Sequence, residues 1–317
     1  MKYISWSKDK LEELVKLWNK ELGSYFPMRK ELFEQNSFND ENVCFEASRI
    51  AIDENDNVIG FLVAKRWQEE LEVGMNLEIG WIQVLLVDQR FRNKRVGTNL
   101  LKHAEETLMK NGIKSIVLGR DPWHYFPGVP QPYNDVSRWF EKQGYNKIGS
   151  DYDVICNYDS ESDTDFPRFE EVEFSVLNLK DKDAFLQFFS KCFPGRWEYE
   201  AIQYFEKGGT GREFVVLKKS EKIIGFCRMN DSNSPIIAQN VYWAPLINKE
   251  LGGIGPLGID SNERKNGYGL AIVQAGIAYL RNRNVSSIVI DWTGLIDFYG
   301  KLGYEVWKSY DSYKKII

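Results

Sequence analysis

Residues 264–269 read RKNGYG, and 172 positions earlier residues 92–97 read RNKRVG. Placed together at that offset, "VDQRFRNKRVGTNLLKHAEETLMKNGIKSIVLG" (87–119) lies over "IDSNERKNGYGLAIVQAGIAYLRNRNVSSIVID" (259–291). In each copy a strand ends at Val87 or Ile259 and a polar turn follows. A helix then opens near Gly97 or Gly269. In the second helix Ile272, Val273, Ile277 and Leu280 recur at helical spacing. Each helix stops in a basic, Asn/Gly-rich turn before a short β-branched strand, "KSIVLG" or "SSIVID". A strand–helix–strand unit is therefore present twice.

Further along, "WFEKQGY" (139–145) matches "FYGKLGY" (298–304) at an offset of 159, so the first copy carries 13 additional residues. They fall in "RDPWHYFPGVPQPYND" (120–135). Upstream, both copies show a helix ("KDKLEELVKLWNKEL", "KDKDAFLQFFSKCF") and a hairpin, at 44–66 and 213–230. The acidic stretch "NYDSESDTDFPRFEE" (157–171) has the composition of an exposed linker. We expect two copies of one α/β domain, at 1–158 and 171–317.

Composition narrows the function. With 317 residues, 43% hydrophobic and 27% charged, each copy is large enough to bury its own core. A net charge of −5 argues against nucleic acid or an anionic membrane as partner and leaves room for an amine substrate. The longest apolar runs, such as "WIQVLLV" (81–87), are strand-like, and the start lacks the apolar core of a signal peptide. Cys44, Cys156, Cys192 and Cys227 lie far apart, and His103 and His124 are the only histidines. We expect a reduced, cytoplasmic protein without a metal site.

A strand, then R-x-x-G-x-G, then a helix is a device for holding an anion. The turn's amides and the first helical N–H groups lack intrahelical partners, and the helix dipole favours negative charge there. Glycines let that backbone approach a pyrophosphate closely. "NERKNGYG" (262–269) followed by "FYGKLGY" (298–304) resembles the acetyl-CoA-binding core of the GCN5-related N-acetyltransferases. The duplicated layout is similar to that of their two-domain members of the mycothiol synthase type. The resemblance implies two tandem domains, each a mixed, mostly antiparallel sheet flanked by helices. It implies that Arg264, Lys265, Asn266, Gly267, Tyr268, Gly269 and Leu270 hold acetyl-CoA. Leu257, Gly258 and Ile259 would pair with its pantetheine arm and offer an amide to the thioester oxygen. Tyr299 takes the place of the general acid that returns a proton to the leaving thiolate.

The first copy departs from this pattern twice. Arg95 stands where the first loop glycine belongs, and Phe140 stands where the acid tyrosine belongs. The dense charge of Arg90, Arg92, Lys94 and Arg95 could still attract a phosphate, or Arg95 could fill its space. We therefore assign the chemistry to the second copy. That copy has gaps of its own. Gly253 occupies the place of the glutamate base of histone-type members, and Trp292 that of a frequent asparagine. Glu250, or a water-relayed carboxylate such as Asp291, could substitute as base, or each is a solvated surface carboxylate.

Two further stretches bear on the acceptor. In "DPWHYFPGVP" (121–130), Trp123, His124, Tyr125 and Phe126 either wall a ligand pocket or pack over an apolar face. The segment 195–209 has the pattern of a helix over the acceptor site, offering Glu198, Glu200 and Glu206 to an amine. Trp197, Trp243 and Trp292 could stack on a flat or cationic acceptor or belong to the core. Two functions fit these residues. One is transfer of an acetyl group to a primary amine by direct attack, on a small molecule rather than a protein. The other is a non-catalytic CoA or metabolite sensor. The acceptor and the oligomeric state stay open.

Overall fold

The computed structural model describes residues 1–159 and 165–317. The chain forms two compact units. The first runs through β1 (Lys2–Ser5), α1 (Leu11–Leu22), α2 (Lys30–Ser37), β2 (Arg49–Ile52), β3 (Val58–Arg66) and β4 (Ile79–Val87). It continues with α3 (Val96–Lys110), β5 (Ser115–Leu118), β6 (Val129–Pro130), α4 (Asn134–Lys142) and the start of β7 (Asn146–Asn157). The second holds β8 (Glu173–Val176), α5 (Lys182–Cys192), α6 (Arg196–Glu206), β9 (Phe214–Lys219), β10 (Lys222–Asn230) and β11 (Leu251–Ile259). Then come α7 (Tyr268–Asn282), β12 (Ser287–Thr293), α8 (Ile296–Gly300) and the start of β13 (Glu305–Ile316).

Within each unit the ladder is antiparallel except at one place. In the first, β4 and β5 are parallel from Ile79↔Ser115 to Ile82↔Leu118. In the second, β11 and β12 are parallel from Leu251↔Ser287 to Ile254↔Ile290. This is the mixed, mostly antiparallel sheet with flanking helices expected of both copies. Strand β10 is buried along almost its whole length, and Ile223 to Cys227 accordingly read as a continuous apolar run, ahead of the buried polar Arg228 and Asn230.

The helix after each turn lies on the sheet by its periodic face. In α3 that face is Val96, Leu100, Leu101, Ala104 and Leu108, packed with Ile59, Leu62 and Ile82. In α7 Ile272, Ala275 and Leu280 join Cys227, Met229 and Ile254. Each fully buried Leu here contributes about 2 kcal/mol relative to exposure. Gly276 permits the close approach: a Cβ there would stand 3.2 Å from the Cys227 sulfur.

The units are not the two halves of the repeat. Unit 1 comprises Met1–Glu70, Asn76–Asp151 and Lys308–Ile317, and unit 2 comprises Leu71–Met75 and Tyr152–Trp307. The halves 1–158 and 171–317 have exchanged their final strands. The end of β7 pairs antiparallel with β12 from Thr293↔Tyr152 to Ser287↔Asn157, and the end of β13 pairs with β5 from Lys314↔Val117 to Ile316↔Ser115. The exchange is possible because both strands meet the same kind of sheet edge. Of the expected linker at 157–171, residues 160–164 lie outside the described residues. Beyond them Phe166 and Phe169 pack on α7, with ring centroids 4.8 Å from Tyr279 and 5.3 Å from Tyr268. Among the described residues no helix is long and apolar enough to cross a membrane.

Candidate active site

The turn after β11 is built from backbone first. Asp260 caps a short 3-10 turn by accepting from Asn262 N, and Arg264 Nε donates to the carbonyl of Ile259 at 3.3 Å. Lys265 and Gly267 then take left-handed conformations (φ 71° and 80°), and α7 opens at Tyr268. Arg264 through Gly267 are exposed, so the turn presents its amides and the start of a 15-residue helix to solvent. This is a setting that fits a pyrophosphate. Tyr268 contributes main chain only, because its ring is buried in the core.

The first unit repeats this turn almost step for step. Asp88 accepts from Arg90 N, and Arg92 Nε donates to Val87 O at 3.1 Å. Asn93 and Arg95 are the left-handed residues (φ 61° and 62°). Arg95 therefore adopts the conformation that Gly267 adopts, against the steric preference of a residue with a Cβ, and its side chain is exposed. The turn keeps its course. What differs is the cleft beyond it. There Trp123, His124, Tyr125 and Phe126 are all buried. Tyr125 and Phe126 pack on Trp18, and the Gln83 side chain donates to Trp123 O at 2.9 Å. A buried Lys65 is held between Asp40 and Asp121, 2.7 Å from each. Residues 121–129 of the loop thus pack as core in the first unit, while Pro132, Asn134 and Asp135 are exposed.

In the second unit the strands that flank the cleft part after Ile254↔Ile290. Leu257, Gly258 and Ile259 stay paired with Cys227, Phe226 and Gly225 of β10, while their β12-facing side lies beyond the end of the β11–β12 ladder. On β12 the departure is a bulge. Ile290 pairs with Val154 and Thr293 with Tyr152, so Asp291 and Trp292 together oppose the single residue Asp153. Trp292 is left-handed (φ 45°), an uncommon state for a bulky residue, and its N–H donates to Asp153 Oδ1 at 3.1 Å.

The bulge sets Asp291 among polar groups. Its Oδ1 accepts from Asn240 Nδ2 at 3.0 Å, and Asn240 Oδ1 accepts from Asn230 Nδ2 at 3.1 Å. Arg196 on α6 lies 4.6 Å over the Trp292 ring and donates to Glu200 at 2.7 Å. Arg228 is 3.9 Å from the other Glu200 oxygen. Burial, then the charges of Asp153 and Glu200, push the Asp291 carboxyl up to about 7, against the opposing pull of Arg196 and Asn240. The residue Asp291 is part-exposed. A carboxylate poised near neutrality can take a proton from an incoming amine. Tyr299 is buried on α8, and burial with the nearby Cys227 and Asp291 pushes its phenol well above the ordinary value, keeping it protonated.

The sequence-derived candidates thus divide. The structure brings Asp291 and Tyr299 into mutual electrostatic reach in one unit. Glu250 does not join them. It is exposed, accepts from Ser232 Oγ at 2.5 Å, and immediately precedes β11. Its neighbour Leu251 pairs with Ser287, so Asp291 lies roughly 13 Å further along β12. Nor can Gly253 be replaced by a glutamate without cost, because a Cβ there would stand 2.1 Å from Asn240 Oδ1. Of the α6 carboxylates, Glu198 and Glu200 are buried, and Glu206 is exposed with Gln203 donating to it. Trp197 packs on Phe193 and Phe226, and Trp243 is buried beside Tyr242. Asp153, Asn240 and Arg196 were not singled out by sequence, and Asp153 lies in the other half of the repeat. Among the described residues no cluster of His, Cys, Asp or Glu is arranged for a metal ion.

Comparison with known proteins adds three observations. The acetyltransferase (GNAT) family pattern matches residues 11–125 and 182–304. An uncharacterized N-acetyltransferase of Methanocaldococcus jannaschii is 28% identical over 160 residues, 44% of this chain and 69% of that protein. Among solved structures, the GCN5-related glucosamine N-acetyltransferase region of a fungal multi-domain GH3 β-N-acetylglucosaminidase superposes with a TM-score of 0.87 at 22% identity. That superposition covers 99% of this chain and 38% of the fungal one. A tandem GNAT protein from the clavulanic acid biosynthesis pathway superposes at 0.70 with 12% identity over 99% and 98% of the two chains. At these identities the structural likenesses establish the fold.

Proposed function

The chain belongs to the acetyltransferase (GNAT) family, and on that footing we propose that its second unit moves an acetyl group from acetyl-CoA to the primary amine of a small acceptor, an amino sugar such as glucosamine. Acetyl-CoA supplies the activated thioester. The turn Arg264–Gly269 with the first residues of α7 would hold its pyrophosphate, and Leu257–Ile259 its pantetheine arm. The observation that carries the proposal is Asp291, a carboxylate pushed up to about 7 and placed where β11 and β12 part.

Each chain residue has one task. Asp291 takes a proton from the acceptor ammonium, leaving a free amine to attack the thioester carbon. An amide from Leu257–Ile259 steadies the oxygen that gains charge. As the carbon–sulfur bond breaks, Tyr299 gives its phenol proton to the departing thiolate, and the nitrogen's second proton, shed as the amide forms, restores the phenol. No acyl-enzyme forms. The acceptor class follows from the chemistry of the cleft together with the likeness to the fungal glucosamine N-acetyltransferase region. An ionised Asp291 favours a cationic acceptor, while Arg196 covers one face of the Trp292 ring and pairs with Glu200.

Thiol release from acetyl-CoA should be followed with glucosamine, a polyamine and an N-terminal peptide as acceptors. Turnover is expected with glucosamine and should be lost in Asp291→Asn while acetyl-CoA affinity holds. Faster turnover of the peptide or polyamine would overturn the acceptor class. Full activity of Asp291→Asn would overturn the base.

A further inference from the structure

We infer that Asp153, delivered by the exchanged strand β7, is the positioning residue that fixes the Asp291–Trp292 bulge and so places the base of the acetyl transfer, an inference that rests on Asp291 acting as that base. Three observations meet at this residue. The β12–β7 register sets Asp153 alone against the two bulged residues. Its carboxylate, buried at 5% exposure, accepts from the N–H of Trp292 at 3.1 Å, supplying a partner to an amide that the bulge takes out of the ladder. Trp292 is left-handed there, a conformation that a bulky side chain keeps only where its surroundings hold it.

The consequence is a division of labour across the sequence repeat. β7 belongs to the first copy by sequence, yet from Tyr152 onward it is part of the second unit. The catalytic unit is therefore incomplete as residues 171–317 alone. Asp153 also acts by charge. The groups facing Asp291 are Asp153 from β7, Glu200 and Arg196 from α6, Asn240 from the segment before β11, and Tyr299 from α8. Of these, Asp153 and Glu200 favour the protonated form and Arg196 the ionised one. Glu200 also pairs with Arg196 at 2.7 Å.

Asp153→Asn and Asp153→Ala separate position from charge. Asn keeps an oxygen for the Trp292 N–H but loses the charge, and Ala loses both. In the full-length protein, the acid limb of kcat/KM for glucosamine should move down by about one pH unit in Asp153→Asn. The Asp291 carboxyl carbon, followed by 13C NMR and assigned through Asp291→Asn, should shift its midpoint likewise. Asp153→Ala should lower kcat about tenfold or more beyond Asp153→Asn, with acetyl-CoA affinity unchanged in both. Should the Ala variant fail to fold, Asp153→Ser, whose shorter side chain draws back from the Trp292 N–H, carries the test. A kcat in the Ala or Ser variant equal to that of Asp153→Asn overturns the inference. A midpoint that moves without the rate profile following it overturns Asp291 as the base and supports the Asp153–Asp291 coupling.

Discussion

Asn240 Nδ2 lies 3.0 Å from Asp291 Oδ1, and the same Asn240 side chain fills the space that any side chain at Gly253 would enter. One residue thus removes the place for a base on β11 and supports a base on β12. The hydrogen bond favours the ionised carboxylate, so its loss should raise the Asp291 pKa further above 7. In Asn240→Ala, less of the base is ionised at neutral pH. The acid limb of the pH–rate profile should move upward, and kcat/KM at pH 7 should fall about fivefold while the rate above pH 9 is largely kept. A uniform loss at all pH values would mean that Asn240 serves packing alone.

Tyr299 is buried and protonated far beyond neutral pH. Tyr299→Phe removes the proton donor and leaves the ring. We expect kcat to fall by about 10²-fold, with acetyl-CoA affinity by calorimetry unchanged. An acceptor-independent loss of acetyl-CoA binding would instead assign Tyr299 to the cofactor arm.

The turn at 264–269 was legible in the sequence because its chemistry is local: glycine and strand–turn–helix order are written in consecutive residues. The repeat showed the elements of each copy for the same reason. Glu250 was misplaced because counting residues along a strand does not say at which point two strands part. Asp153 left no trace, since strand exchange depends on which sheet edge a strand finds, and both copies offer the same kind of edge. The loop at 120–135 was ambiguous in composition, because aromatic residues suit a pocket wall and a core equally. Its burial follows from tertiary contacts with Trp18 and Gln83 that no local pattern encodes.

Arg95 and Gly267 hold the same left-handed conformation, which only the glycine adopts freely. Arg95→Gly should therefore stabilise the first unit by about 1 kcal/mol, and Gly267→Arg should destabilise the second by a similar amount. Because the first unit shows that arginine can follow this course, Gly267→Arg should still fold. Titration with acetyl-CoA should show one site in the native protein, and about tenfold weaker binding or worse in Gly267→Arg. Undiminished affinity would move the site to the turn at 92–97.

Strand exchange makes the last ten residues part of the first unit. Tyr310 and Tyr313 are buried there, and Asp311 is bridged to Val129. Truncation after Trp307 removes the partner of β5 and two buried aromatic rings, a loss of at least about 4 kcal/mol. Limited proteolysis should then cut within 1–151 first. Preferential cleavage within 171–307 would contradict the exchange.

Asp291 links activity to stability with a definite sign. Its folded pKa of about 7 lies above the ordinary value of 3.8. Between those values the folded protein binds more protons than the unfolded chain, so ionising Asp291 costs stability as pH rises through that window. Asp291→Asn keeps the shape of the carboxyl without the charge. It should therefore stabilise the fold at pH 8 by an amount on the order of 2 kcal/mol, read as a higher thermal midpoint. The gain should shrink as pH falls from 7 towards 4 and vanish below about pH 3, where the carboxyl is protonated in both states. A variant equally destabilised at pH 4 and pH 8 would show that the carboxylate holds the fold together, and a base placed for catalysis at the expense of stability would have to be abandoned.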